Sequence, residues 1–294
     1  MVNVWLNRYL KLLAVVTFFL VIAGGLVTST KSGLSVPDWP LSYGKLMPPM
    51  VGGIRFEHTH RIIATLVGLM TLILTFWVGF SEKRKWLRWC GILALGMVVG
   101  QGILGGMTVL YLLPPQISVT HACLAQTFFV FMVCLAAATS KWEMAQPANL
   151  HQINLSLFKK FLWLTSGLVY AQLMLGATFR HTGNQYVLIS HIAGAFFVIL
   201  HAVFVLVFVF RNLPQEKRFV RPAILLGILT VLQMSLGMGA FIYTVALSGT
   251  QAQMTSAHIF FVTSHQTFGA LLLATSGLLL LRAHWASRLL EGSF

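Results

Sequence analysis

Six stretches of this 294-residue chain contain no Asp, Glu, Lys or Arg: 12–30, 62–81, 89–140, 161–179, 182–210 and 222–281. A helix crosses a bilayer with about 20 mostly apolar residues, and inside lipid every backbone N–H and C=O must find its partner within the protein. The 89–140 stretch is too long for one helix and breaks at Pro114-Pro115; the 222–281 stretch breaks near Ser248-Gly249-Thr250-Gln251. The spacing therefore predicts eight spans, roughly 10–28, 57–80, 89–112, 118–139, 161–179, 186–210, 223–246 and 257–281. The first is too long for a signal-peptide core and has no small-residue cleavage site after it, so it counts as a span. The fold class this implies is an all-α integral membrane protein. Composition agrees: 9% of the residues are charged and 57% are hydrophobic, whereas a soluble domain carries about 25% charged residues.

The net charge of +14 does not indicate nucleic acid, because the basic residues sit in short clusters between the apolar stretches. Eight spans place both termini on one side. The terminal segments and the loops at 81–88, 140–160 and 211–221 hold fifteen Lys and Arg, and the opposite loops hold four: Lys31, Lys45, Arg55 and Arg180. By the positive-inside rule both termini are expected in the cytoplasm, with the chain in the cell's inner membrane. Cys90, Cys123 and Cys134 all lie in apolar stretches and form no disulfide or metal pattern.

The chain also repeats itself. Gln-x-x-Leu-Gly occurs in helices 3, 5 and 7 (Gln101 to Gly105, Gln172 to Gly176, Gln233 to Gly237), and helix 1 carries Gly24-Gly25 near its outer end. After each comes an outer loop and then a histidine near the outer end of the returning helix: His60, His121, His191 and His265. The pattern reads as two pseudo-symmetric four-helix bundles, residues 1–150 and 151–294. Small residues on the odd helices let neighbouring backbones approach, which by itself accounts for the glycines.

Ten histidines are present. His151, His181 and His284 fall in loops or terminal segments and read as solvated surface; His201 has no evident partner. The four repeated histidines differ. Polar groups in lipid are costly, so four of them recurring at matched depth point to ligation or proton transfer. Haem suits them, since two imidazoles from facing helices can bind one iron from both sides. Within-half pairing joins His60 with His121 and His191 with His265. Zinc fits less well, for no cysteine or carboxylate cluster accompanies the pairs.

The halves are unequal. Glu57, His60 and Arg61 stand at i, i+3 and i+4 and share one helix face, with His58 turned roughly the other way; nothing comparable precedes the later histidines. A plain Glu57–Arg61 helix pair is one reading. The other is an acid beside a haem ligand, placed to take a proton or stabilise positive charge. The 29–56 loop is long for a compact bundle, and long ordered loops are usually functional. Its Trp39 and Tyr43 suit either an interfacial belt or a lid, and Lys31, Arg55 and Arg61 are placed for haem propionates.

These residues resemble the heme A synthases. The resemblance rests on Gly24-Gly25-Leu-Val-Thr, on the loop Ser32-Gly-Leu…Pro37-Asp-Trp-Pro40, on Glu57-x-x-His60-Arg61 and on His121, His191 and His265. It implies an oxidoreductase that converts haem O into haem A, oxidising the ring C8 methyl by successive hydroxylations to a formyl group. It further implies a substrate pocket at His60 and His121 served by Glu57, and a resident haem b held by His191 and His265 that passes electrons. The implied partners are membrane lipid, a haem O synthase, oxidase assembly factors and further copies of the chain, with no nucleic acid. Many bacterial relatives carry a cysteine pair in the first loop where this chain has Val36 and Ser42, so no loop disulfide or thiol serves here. Two other classes remain open at this level: a quinol-linked di-haem b-type electron carrier, and a transporter using the histidines as a proton relay. The transporter would be expected to show acids near the membrane midplane, and no acid of this chain lies at that depth in the spans.

Overall fold

A computed structural model describes residues 3–140, 154–247 and 255–290. Eight helices run through it: α1 (Val4–Ser29), α2 (Ile54–Ser81), α3 (Lys85–Leu110), α4 (Pro115–Ala138), α5 (Leu155–Thr182), α6 (Gln185–Asn212), α7 (Lys217–Phe241, continued by a π-helical turn Ile242–Ala246) and α8 (Ser256–Leu290). All eight are long and apolar enough to cross a membrane, and no strand occurs among the described residues. Large apolar side chains such as Phe196, Phe197, Leu200 and Val203 on α6 lie exposed. In a chain of this composition that surface belongs against lipid tails.

Each helix is longer than the span expected for it, and its ends follow local chemistry. The α3–α4 connection is the expected Pro114-Pro115 break. Leu112 and Leu113 take φ of 58° and 61°, the Leu113 N–H reaches back to the Thr108 carbonyl (2.7 Å), and Pro115 opens α4, where a missing N–H is no loss. Helices α5 and α6 turn on two residues. Gly183 closes α5 in the left-handed region (φ 65°), and the Asn184 side chain accepts from the N–H groups of Tyr186 and Val187. The expected break at 248–251 lies outside the described residues, as does His151.

Helix α7 departs from expectation. The sequence places its start at 223, just after Pro222, but the helix runs from Lys217 straight through that proline. Proline has no N–H and so deprives the carbonyl four residues earlier of its helical donor. That carbonyl belongs to Arg218, and the Arg282 guanidinium from α8 donates to it at 2.5 Å. The defect is repaired from a neighbouring helix, so the chain need not unwind.

The chain divides into two compact units: Met1–Arg8, Val133–Ser235 and Phe268–Phe294 in one, Tyr9–Met132 and Leu236–Thr267 in the other. In the first unit α5 and α6 pack through ring pairs, Phe158 stacked on Phe208 with centroids 4.5 Å apart and Phe161 tilted against Phe204 at 4.3 Å. Asn7 donates to the Ala136 carbonyl (2.6 Å) and to Thr139 Oγ1 (3.0 Å), which satisfies a buried amide. In the second unit α2 meets α3 at Gly91, where an added Cβ would come within 2.6 Å of Val78; Thr75 donates to the Gly91 carbonyl across the same contact (2.9 Å). Buried threonines elsewhere return their hydroxyls to the carbonyl one turn back, as Thr71 does to Val67 and Thr230 to Leu226.

Candidate functional site

His60, His121 and His191 each lie six residues after the first residue of their helix (Ile54, Pro115 and Gln185), and His265 lies nine after Ser256. All four rings are half-buried, with Nδ1 shut away from solvent. Each is seated on a glycine of the preceding odd-numbered helix. A Cβ added at Gly24 would stand 3.2 Å from Cε1 of His60, at Gly105 3.4 Å from Cε1 of His121, at Gly176 3.1 Å from Cε1 of His191, and at Gly237 2.9 Å from Cε1 of His265. The glycines of the repeat therefore make room for imidazole rings, which is more specific than close backbone approach.

Two further regularities orient the rings. The Leu20 backbone, one turn before Gly24, interacts with His60, and the Gln172 backbone, one turn before Gly176, interacts with His191. Both interactions set the preceding helix's backbone beside the ring. The glutamine of the repeat reaches the returning helix. Gln101 Nε2 donates to the His121 carbonyl (2.9 Å), while the side-chain nitrogens of Gln172 and Gln233 lie directly against Gly194 and Gly269, three and four residues after His191 and His265. His60 and His121 belong to the same unit and lie within electrostatic reach of each other.

Glu57, in the first turn of α2 where the helix dipole favours an anion, is buried at 4% exposure. Both of its oxygens are held. Oε1 accepts from Arg61 Nη2 (2.7 Å), and Oε2 accepts from the Val36 N–H in the first loop (2.8 Å). The i, i+4 pair expected from the sequence is present, and its second half is a loop contact that no helix periodicity announces. Arg61 also donates through Nη1 to the carbonyls of Asp38 (2.7 Å) and Leu41 (2.8 Å), and through Nη2 to that of Val36 (3.2 Å). One guanidinium thus ties the 36–41 backbone to the carboxylate.

Other contacts complete the loop. Ser42 Oγ lies 2.9 Å from Nδ1 of the buried His58. His58 is turned away from His60, as its spacing requires, and meets the loop instead. Asp38 accepts from the N–H groups of Tyr43 (2.6 Å) and Gly44 (2.8 Å); these donors, Gly44 first, hold its carboxyl below the ordinary range. The Tyr43 hydroxyl donates to the Ser35 carbonyl (2.7 Å). Trp39 lays its indole on Gly106 of α3, where a Cβ would stand 2.9 Å from Cδ2. Val36 and Ser42 are buried. Lys31, at the exit of α1, is exposed.

Arg61 supports a direct test. Lysine keeps the charge but loses the planar fork that serves several acceptors together. In Arg61→Lys, limited proteolysis is expected to cut within 30–53 faster than in wild type, with cutting elsewhere unchanged. An unchanged loop would show that Arg61 does not anchor it.

A sequence model of the cytochrome oxidase assembly protein family matches residues 7–52 and 54–188, more than half of the chain and all of the Glu57, His60, Arg61 and His121 region. The chain belongs to this family. Similar proteins include one named heme A synthase from Halalkalibacterium halodurans, 30% identical over 190 residues that cover 60% of this chain and 61% of that protein. Two others with the same name, from Exiguobacterium sp. and Bacillus pumilus, are each 25% identical, over 85% and 86% of this chain and over 85% and 90% of their own lengths. The match to the first relative thus spans less than two thirds of that protein, whereas those to the other two run through most of both chains.

Proposed function

We propose that this membrane protein is a heme A synthase, oxidising the C8 methyl of haem O to a formyl group by successive hydroxylations. The observation that carries the reading is the group at the start of α2: Glu57 and Arg61 with His60, whose ring rests on Gly24 and which lies within reach of His121. The donor set fits haem. The imidazoles have buried Nδ1 atoms, and at Gly24, Gly176 and Gly237 Nε2 is the ring nitrogen farther from the glycine seat, which suits ligation through Nε2. Haem O is the substrate bound at His60 and His121. The repeat alone pairs His191 with His265, each seated in the same manner on its own glycine, as ligands of a resident haem b, and that group would supply electron transfer when bound.

The protein's own residues then divide the work. His60 and His121 hold the substrate ring in one plane and register. Glu57, fixed at both oxygens, sits within one turn of His60 and takes the proton released as the methyl is oxidised. Arg61 holds that carboxylate in place and gathers the 36–41 backbone beside it. The two halves, 1–150 and 151–294, are read as pseudo-symmetric copies, the first retaining substrate chemistry and the second a permanent cofactor. The termini are placed in the cytoplasm and the histidines towards the outer face of the inner membrane. A haem O synthase and oxidase assembly factors follow as partners, because the substrate must arrive from the one and the product leave towards the others; self-association is part of the same reading.

The test is mass analysis of haems extracted from cells co-expressing this chain with a haem O synthase. Haem A, or its hydroxymethyl intermediate, is expected only when this chain is present. Unchanged haem O together with two permanently bound b-type haems would replace the enzyme by an electron carrier.

A further inference from the structure

Trp39 is the feature of the first loop that neither the ligand set nor the Glu57–Arg61 pair explains. We propose that it is a positioning residue for Glu57, acting by anchoring the loop to α3. The proposal rests on the reading of Glu57 as the group that handles the substrate proton.

Three observations lead there. First, the indole lies flat on helix backbone. A Cβ at Gly106 would meet Trp39 Cδ2, Cε2 and Cε3 at 2.9, 3.0 and 3.1 Å, so the six-membered ring covers the glycine. An aromatic residue serving only the membrane interface needs no such notch. Second, Gly106 directly follows Gly105, which seats the His121 ring. Two successive glycines of α3 therefore receive one ring from α4 and one from the loop. Third, the backbone on either side of Trp39 is what Arg61 grips, through the carbonyls of Asp38 and Leu41. The contacts of Glu57, His58 and Arg61 tie the loop to α2; Trp39 ties it to α3.

The consequence follows from how Glu57 is held. One oxygen depends on the Val36 N–H, and the other on an arginine whose remaining bonds go to loop carbonyls. A loop fastened only to α2 can move with that helix's side chains and carry the Val36 N–H away from the carboxylate. Fastened to Gly106 as well, it holds the carboxylate in register with the His121 side of the pocket. Displacing a reacting group by about 1 Å costs up to roughly a hundredfold in rate.

The experiment uses the full chain in solubilised membranes supplied with haem O, and measures kcat and KM for wild type, Trp39→Ala, Trp39→Phe, Gly106→Ala and the double variant Trp39→Ala/Gly106→Ala. Trp39→Ala is expected to lower kcat by roughly ten- to a hundredfold with KM little changed, and Trp39→Phe to recover most of the loss. Gly106→Ala should reproduce the defect, because its methyl displaces the indole. The double variant should be no slower than Trp39→Ala, since both changes break one contact. Wild-type kcat in Trp39→Ala, or losses that multiply in the double variant, would overturn the proposal. Amide exchange over 35–44, compared with α5 and α6 in the same samples, gives a readout independent of turnover. Protection is expected to fall in the loop alone in Trp39→Ala. If wild type makes no haem A the functional reading fails, and unchanged loop protection in Trp39→Ala then overturns the anchor by itself.

Discussion

A Glu57→Gln variant is expected to assemble, bind haem and form product at about a hundredth of the wild-type rate or less, the range that a positioned general base contributes. The amide preserves the shape of the side chain. Its oxygen can still accept from Arg61 or from the Val36 N–H, the two donors that hold the carboxylate at 2.7 and 2.8 Å. What it removes is the charge and one of the two acceptors, because the amide NH2 cannot accept from the remaining donor. Glu57→Ala is expected to do more, leaving the Arg61 side chain, 15% exposed, without its counter-ion. Breaking a buried pair from one side costs about 3–5 kcal/mol, so this variant should also yield less folded protein. Haem A output and haem content are measured on the same membranes. Normal output from Glu57→Gln would remove Glu57 from the chemistry and leave it a loop anchor.

The second large effect concerns the glycines beneath the histidines. Alanine at each should disturb haem binding in the order set by the space available: Gly237 first at 2.9 Å, then Gly176 at 3.1 Å, Gly24 at 3.2 Å and Gly105 at 3.4 Å, the last being ordinary van der Waals contact. Gly237→Val, with two more methyl groups against the His265 ring, is expected to abolish ligation by that residue. Haem per polypeptide and the low-spin bis-imidazole absorption of the purified protein measure this directly. Helix propensity works the other way, since alanine in place of glycine favours a helix by about 1 kcal/mol, so a loss of haem cannot come from weakened helices. Full haem content in Gly237→Ala would show that the glycine notches do not position ligands.

The four notches also show what a repeat can and cannot disclose. Gln-x-x-Leu-Gly and the later histidine are visible at fixed spacing in the chain, and the histidines were candidates on that ground alone. That the glycine is the seat of the imidazole is not visible, because the two lie on different helices and spacing along one helix says nothing of a neighbour's rotation. His58 and Ser42 illustrate the same point. Sixteen residues separate them, one in a loop and one on a helix, and only the folded loop brings them to 2.9 Å. Trp39 was open to two readings until its indole was found on Gly106.

The spans were legible for a physical reason. A bilayer tolerates no unpaired backbone and few charges, so the solvent itself writes each helix into the chain as a run of apolar residues. The ends of the helices were less so, because they answer to particular partners. α7 begins at Lys217 and passes through Pro222 since Arg282, some sixty residues further on, supplies the hydrogen bond that proline cannot. The sequence by itself determined that this chain is eight apolar helices carrying four histidines at related positions and one acid beside the first. The tertiary structure alone decided that the acid is gripped at both oxygens by an arginine and a loop amide, and that each histidine rests on a glycine. Those are contacts between segments far apart in the chain, and their geometry is set by packing, which no local pattern records.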